Sequence, residues 1–313
     1  MTDLPPAAGE ILERGSLCYL AGPSPEGPHV TPVVFVLEGG RLWGTTGRGT
    51  TKARRWRDRP VASGLVRLDH RSVTFRGAVT LYDALDPSTW AVSLARAPAV
   101  TLASARFTVK NARFFAGYAR DAGKVPLSWT PPGRVIFSID LDAGAVLEGE
   151  DISERWGGWE GTLRGRPGFR SVRAPVPQLP DAVRGLLGRR GAGTFALDGA
   201  GGPVVLPARW SRSGGVVYAA LSRGALSLAD DGPEGLGALV IDHASSWRAS
   251  RMKGLLVRGP VTVYLPDGMR TGVRALRSRL AGLELPPDPA FVRLRTRSVV
   301  WWDGWASDTV VRR

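Results

Sequence analysis

At 313 residues, with 43% hydrophobic and 22% charged residues, the chain is the size of two ordinary globular domains and is neither disordered nor fibrous in composition. One cysteine, Cys18, excludes an internal disulfide framework, and with only three histidines beside it no zinc site is expected; a reducing, cytoplasmic setting is. The net charge of +14 raises nucleic-acid binding, yet outside Lys52, Arg54, Arg55 and Arg57 the basic residues are dispersed, which favours a protein that binds small anions. No run of about 18 apolar residues is present, so no membrane span is expected. The start, MTDLPPAAGEI, has neither the basic nor the apolar region of a secretory signal.

In chain order, Pro5-Pro6 caps a short helix from Ala7 to Arg14. Leu17 to Leu20 reads as a strand, Gly22 to Pro28 as a turn, and His29 to Leu37 as a strand. Glu38-Gly39-Gly40 is a hairpin turn leading into a strand from Arg41 to Thr45. Val61 to Leu68 and Ser72 to Asp83 are two more strands, and Asp86 to Ala122 turns helical with Pro87 in its first turn. Strands follow at Arg134 to Ile139 and Ala145 to Leu147. The Gly/Arg/Pro-rich stretch 157–176 has no period and reads as a linker between domains at 1–156 and 177–313.

The strand that begins at Arg41 opens the stretch Arg41 to Asp58, RLWGTTGRGTTKARRWRD. Glycines that admit close approach, Thr hydroxyls, the free N–H groups of a helix start and Lys52 together make an anion cradle. It has neither the GxxxxGK[ST] spacing of a nucleotide P-loop nor the GxGxxG of a dinucleotide fold.

The chain also repeats itself. GPHVTPVVFVLEGG at 27–40 matches GPVVLPARWSRSGG at 202–215 without a gap, an offset of 175 residues, and FRGAVTLY at 75–82 matches VRGPVTVY at 257–264. A two-fold repeat of this length implies a duplicated domain, here a small antiparallel barrel of about six strands per copy.

Hairpin, cradle, helix, strand pair and the tail VVWWDGWASDTVVRR at 299–313 occur in the order seen in the pyridoxamine 5'-phosphate oxidase-like superfamily, and each half resembles its flavin-binding split barrel. The resemblance implies a mainly β fold, two split barrels forming a pseudo-dimer within one chain, with FMN at the seam between them. It assigns the ribityl phosphate to Arg48, Gly49, Thr50, Thr51 and Lys52, with Arg55 adding to the field, and Thr45 and Thr46 donating to flavin or phosphate. His29, Val30, Thr31 and Pro32 would run along the flavin ring. From the other half, Trp302 and Trp305 would flank the cofactor, Arg312 would contact it, and Arg251 and Lys253 would face its N1–O2 edge.

The two copies differ in a consistent way. Under the offset, Thr50, Thr51 and Lys52 become Ala225, Leu226 and Ser227; in the tails, matched to each other separately, Trp302 corresponds to Leu147. One site keeps both components and the other loses both, so one cofactor site per chain is expected. In the oxidase itself the tail carries an Arg and a His that handle substrate; Asp308 and Val310 stand there, so pyridoxamine phosphate is not the expected substrate. No Ser-His-Asp set, carboxylate pair or metal box is visible, which leaves the cofactor as the reactive group. The expectation is an FMN-dependent oxidoreductase acting on a small organic molecule. The rivals are an F420-dependent reductase, suited by the basic cluster at 52–57, and a non-catalytic flavin- or haem-binding protein. The pseudo-dimer is expected to stand as a monomer, with further pairing left open.

Overall fold

The computed structural model describes residues 4–130, 133–166, 169, 172–199, 201–229, 234–243, 248–267 and 270–311. The N-terminal half runs α1 (Pro6–Arg14), β1 (Cys18–Gly22), β2 (His29–Val33), β3 (Phe35–Glu38), β4 (Arg41–Gly47), α2 (Thr51–Asp58), β5 (Val61–Leu68) and β6 (Arg71–Tyr82). Three helices, α3 (Trp90–Ala95), α4 (Ala97–Lys110) and α5 (Ala112–Arg120), precede β7 (Arg134–Glu148) and β8 (Asp151–Trp156). The C-terminal half runs α6 (Asp181–Arg184), β9 (Arg190–Leu197), β10 (Val204–Ser213), β11 (Val216–Ser222), α7 (Arg223–Leu226), β12 (Glu234–His243), β13 (Lys253–Tyr264), α8 (Arg270–Arg279), β14 (Pro289–Arg295), β15 (Ser298–Asp303) and β16 (Ala306–Val311).

Each half forms one antiparallel sheet. In the first, the order is β2-β1-β5-β6-β7-β4-β3 with β8 on β7, an open half-barrel; in the second, β12-β9-β10-β11-β14-β13 closes on itself through β12–β13, and β15 and β16 extend from β13. Each half has eight strands where about six were expected, β8 being one the sequence reading did not foresee, and two further elements differ. The strand foreseen at His29–Leu37 breaks at Val34 into β2 and β3. The two strands foreseen at 134–139 and 145–147 are one, because the pairing with β6 slips between Arg76 and Gly77 and leaves Asp142 as the extra residue of a bulge, its carboxylate accepting from the Ala78 N–H at 3.1 Å. Within the connecting stretch, Trp159 is buried in the joint core and donates to the Leu228 carbonyl at 2.9 Å.

The halves face each other across a pseudo-two-fold seam. Gly27 has φ 103° and Gly202, its mate under the 175 offset, has φ 113°, a backbone that glycine alone adopts cheaply. A Cβ on Gly27 would sit 3.3 Å from Leu236, and one on Gly202 would sit 3.7 Å from Val61, and Leu236 and Val61 are themselves mates. Ala21, Val30 and Leu65 of the first half pack with Ala196, Val205, Ala238, Val240 and Leu256 of the second, while the Thr74 hydroxyl donates to the Val205 carbonyl at 2.8 Å. Among the described residues no helix is long and apolar enough to cross a membrane.

Candidate functional site

The cradle forms where β4 ends and α2 begins. Thr50 caps the helix, its hydroxyl accepting from Ala53 N–H at 3.3 Å and donating to the Gly47 carbonyl at 2.8 Å, and it lies 3.2 Å from the Thr46 hydroxyl. The helix buries Lys52, Ala53 and Trp56 on one face and turns Arg54 and Arg55 to solvent. Trp56 is anchored by its indole N–H to the Val61 carbonyl at 3.1 Å and packs 5.1 Å from Phe137.

Lys52 is the unusual member. It is 3% exposed, its ammonium donates to the Leu20 carbonyl at 2.9 Å, and no carboxylate pairs with it among the described residues. Burial pushes its pKa down to about 7. His29, at the start of β2, has its Nδ1 enclosed without a partner, and its pKa falls to about 3, first through burial and then through the nearby charges of Lys52 and Arg258. Arg258, on β13 of the other half, is buried and reaches Glu26 at 2.5 Å. Its mate Arg76 reaches toward Gly201, the mate of Glu26, and lies over the Trp159 ring at 5.0 Å.

The remaining expected residues divide. Val30 lies in the core of the seam, and Thr31 and Pro32 pair with Leu20 and Tyr19 on β1. Trp302 packs against that seam cluster from the C-terminal half. It stands opposite Gly254 on β13, as Leu147 stands opposite Ser72 on β6; Gly254 and Ser72 are mates, so the sheet register reproduces the Trp302–Leu147 equivalence. Gly49 is open and Thr51 is half-buried. Thr45 is occupied by Arg134, which donates to its hydroxyl at 2.8 Å and its carbonyl at 3.0 Å. Arg48 forms an ion pair with buried Asp83, which also accepts from Arg57 at 2.9 Å. Arg251 and Arg55 are exposed, Lys253 pairs with Asp303 at 3.0 Å, and Arg312 lies outside the described residues.

Trp305 takes a place that the sequence does not reveal. Its ring lies edge-on to Tyr118 of α5 and to Trp129, each at 5.1 Å, with its indole N–H enclosed and unpartnered. Asp121, just beyond α5, accepts from Arg248 at 2.6 and 3.1 Å and from Ser250 at 2.5 Å. The helical insertion is thereby strapped onto the C-terminal half beside the β15–β16 hairpin.

The second cradle is filled. Ala225, Leu226 and Leu228 are buried in one apolar core with Ala143, Ala145, Leu147 and Trp159. A void of about 10 Å³, the room of one water, is lined there by Leu163, Leu197, Leu226 and Val261.

Sequence reasoning missed Tyr19, Asp242 and Arg258. Tyr19 donates its hydroxyl to Asp242 across the seam at 3.2 Å, and Asp242 lies 175 residues after Arg67, an acid where the other copy has a base. That substitution within the repeat was the available signal.

Residues 6–111 match the family model described as pyridoxamine 5'-phosphate oxidase. A search of curated proteins finds no match. Among solved structures, the chain is similar to a pyridoxamine 5'-phosphate oxidase-related, FMN-binding protein from Nostoc punctiforme, at 19% identity over 47% of this chain and 85% of that one, TM-score 0.33. It is similar to an F420 reductase at 23% identity over 45% and 98%, TM-score 0.31. It is also similar to General Stress Protein 26 from Bacillus anthracis, at 12% over 45% and 91%, TM-score 0.31. Residues 6–111 are thus similar to the pyridoxamine 5'-phosphate oxidase family, and a second antiparallel sheet follows that one in the chain.

Proposed function

We propose that the chain holds one flavin-type cofactor, FMN in the first instance, between the N-terminal cradle and the C-terminal hairpin, and acts as an oxidoreductase on a small organic molecule. The observation that carries this reading is the group around His29. Two buried cations from different halves, Lys52 and Arg258, face an imidazole whose enclosed nitrogen has no partner, and among the described residues only Glu26 offsets them. Burying like charges is expensive unless an anion completes the set. A phosphate-bearing cofactor fits that donor set.

FMN when bound supplies hydride chemistry. Lys52 would give up the Leu20 carbonyl to meet the phosphate, with the N–H groups at the start of α2 behind it. Trp302 would close one wall and Trp305, gripped by Tyr118 and Trp129, would fix the hairpin that carries it. The strap between Asp121 and Arg248 would hold the helical insertion against that side. F420 is the second reading, favoured by one observation: Arg54 and Arg55 stand exposed on α2, placed for a longer anionic tail.

The test is the absorption spectrum of purified protein, followed by titration with FMN and with F420. One FMN per chain is expected. Binding of F420 alone shifts the assignment to the second reading, a Soret band shifts it to haem, and binding of none of the three overturns it.

A further inference from the structure

We propose that Asp242, held by Tyr19, is the group that exchanges a proton with the substrate of this site; the proposal rests on the cofactor reading just given. It starts from the seam. Tyr19 and Thr194 are mates under the repeat, and so are Arg67 and Asp242. On one side Arg67 donates to the Thr194 hydroxyl at 3.0 Å and to the Gly193 carbonyl at 2.8 Å, so this guanidinium is committed and, staying charged at ordinary pH, cannot act as an acid or base. On the other side stands a carboxyl. Tyr19 donates to its Oδ1, and its Oδ2 is enclosed with no partner.

That carboxyl belongs to the surviving site and not to the filled one. Asp242 pairs with Gly254 on β13, and Gly254 pairs with Trp302 on β15. A Cβ at Gly254 would come within 2.2 Å of the Trp302 ring and 2.8 Å of the Asp242 Cβ, so the bare glycine is what lets ring and acid share one spot. The equivalent row of the other half runs Arg67, Ser72, Leu147 and ends in the sealed core.

An enclosed carboxylate oxygen with no donor is costly, and protonation relieves the cost. Burial raises the Asp242 pKa to about 6, against the lowering pull of the Tyr19 hydroxyl, Arg67 and His243. On the neighbouring row Lys253 is taken up by Asp303. The acid is therefore poised to hold and release a proton near neutrality.

When bound and reduced, a flavin-type cofactor would supply hydride, two electrons and one proton, to the substrate. Asp242 gives its carboxyl proton to the substrate atom left anionic. The carboxylate formed keeps the Tyr19 hydrogen bond, faces Arg67, and regains a proton from solvent.

Two readouts test this. In cofactor-free protein, infrared titration should show a carboxyl stretching band lost with a midpoint near pH 6; the band should be absent in Asp242→Asn and its midpoint should move upward in Tyr19→Phe. In FMN-loaded protein, the midpoint potential plotted against pH should break near the same pH, and Asp242→Asn should remove the break while changing FMN affinity by less than about threefold. No such band, or superimposable potential curves for the loaded wild type and Asp242→Asn, overturns the proposal alone. A wild type that binds neither FMN nor F420 overturns the cofactor reading first and this proposal with it.

Discussion

The Tyr19 hydroxyl meets Asp242 at 3.2 Å in the place where the other copy of the repeat sets Thr194 3.0 Å from Arg67. One geometry thus carries an acid on one side of the seam and a base on the other. The same bias runs through the molecule: Lys52 against Ser227, Trp302 against Leu147, His29 against Val204. Each chemically able partner lies on the same side.

Replacing Lys52 with Ala should weaken FMN binding roughly 10- to 100-fold, the loss of one charge-assisted hydrogen bond, whereas Ser227→Ala should leave it unchanged. Isothermal titration of both variants decides this, and equal effects would refute a single site. Because the Lys52 pKa sits near 7 and not at 10.5, the unfolded chain holds more protons between those values, so the cofactor-free protein gains stability as pH rises through that window. Anion binding needs the ammonium, so FMN affinity should fall as pH climbs past 7.

His29 gives the opposite end of the scale. Its pKa of about 3 lies below the ordinary 6.5, so the unfolded state binds the extra proton as pH falls between them. Stability should drop progressively across that range, and His29→Gln should flatten the drop. Chemical denaturation at a series of pH values measures it.

Gly254→Ala places a methyl 2.2 Å from the Trp302 ring. The ring has to move, at a stability cost of about 1–3 kcal/mol. Loss of FMN affinity together with a changed tryptophan emission spectrum is the expected result.

Leu147 is fully buried in the core shared by both halves. Leu147→Ala should cost about 2–5 kcal/mol by denaturant unfolding and should not open a second cofactor site, which stoichiometry by titration would reveal.

Asp121 is drawn down to about pKa 2 by Arg248 first and then Ser250. A carboxylate depressed in the folded state contributes stability above its unfolded pKa and loses it as pH falls toward 2. Asp121→Asn should therefore raise amide exchange over 112–124 at neutral pH, and acid should do the same to the wild type.

Much of the fold is legible in the sequence because its turns are set locally. Gly27 and Gly202 take positive φ, Gly39 and Gly214 do likewise, and their spacing exposes the repeat before any contact is known. β5 falls on Val61–Leu68 as read, since its apolar run is bounded by Pro60 and Asp69. β7 is not legible as one strand, because Asp142 and Gly144 look like a turn until β6 supplies the bulge that absorbs them. The cradle can be read from Thr46 to Lys52, but Arg258, Tyr19 and Asp242 gain meaning only from the opposite half, more than 200 residues away. Nor does Trp305 announce its pairing with Tyr118 and Trp129, which depends on how the insertion folds back.

The apolar seal over the second cradle has a mechanical consequence. Leu147 comes from one half, Trp159 from the connecting stretch and Leu226 and Leu228 from the other half, so neither half can be cut away without stripping the other's interior. Denaturation should proceed as a single event in which both barrels melt together. Its midpoint should be indifferent to dilution, since the two faces that must rejoin are tethered by one backbone.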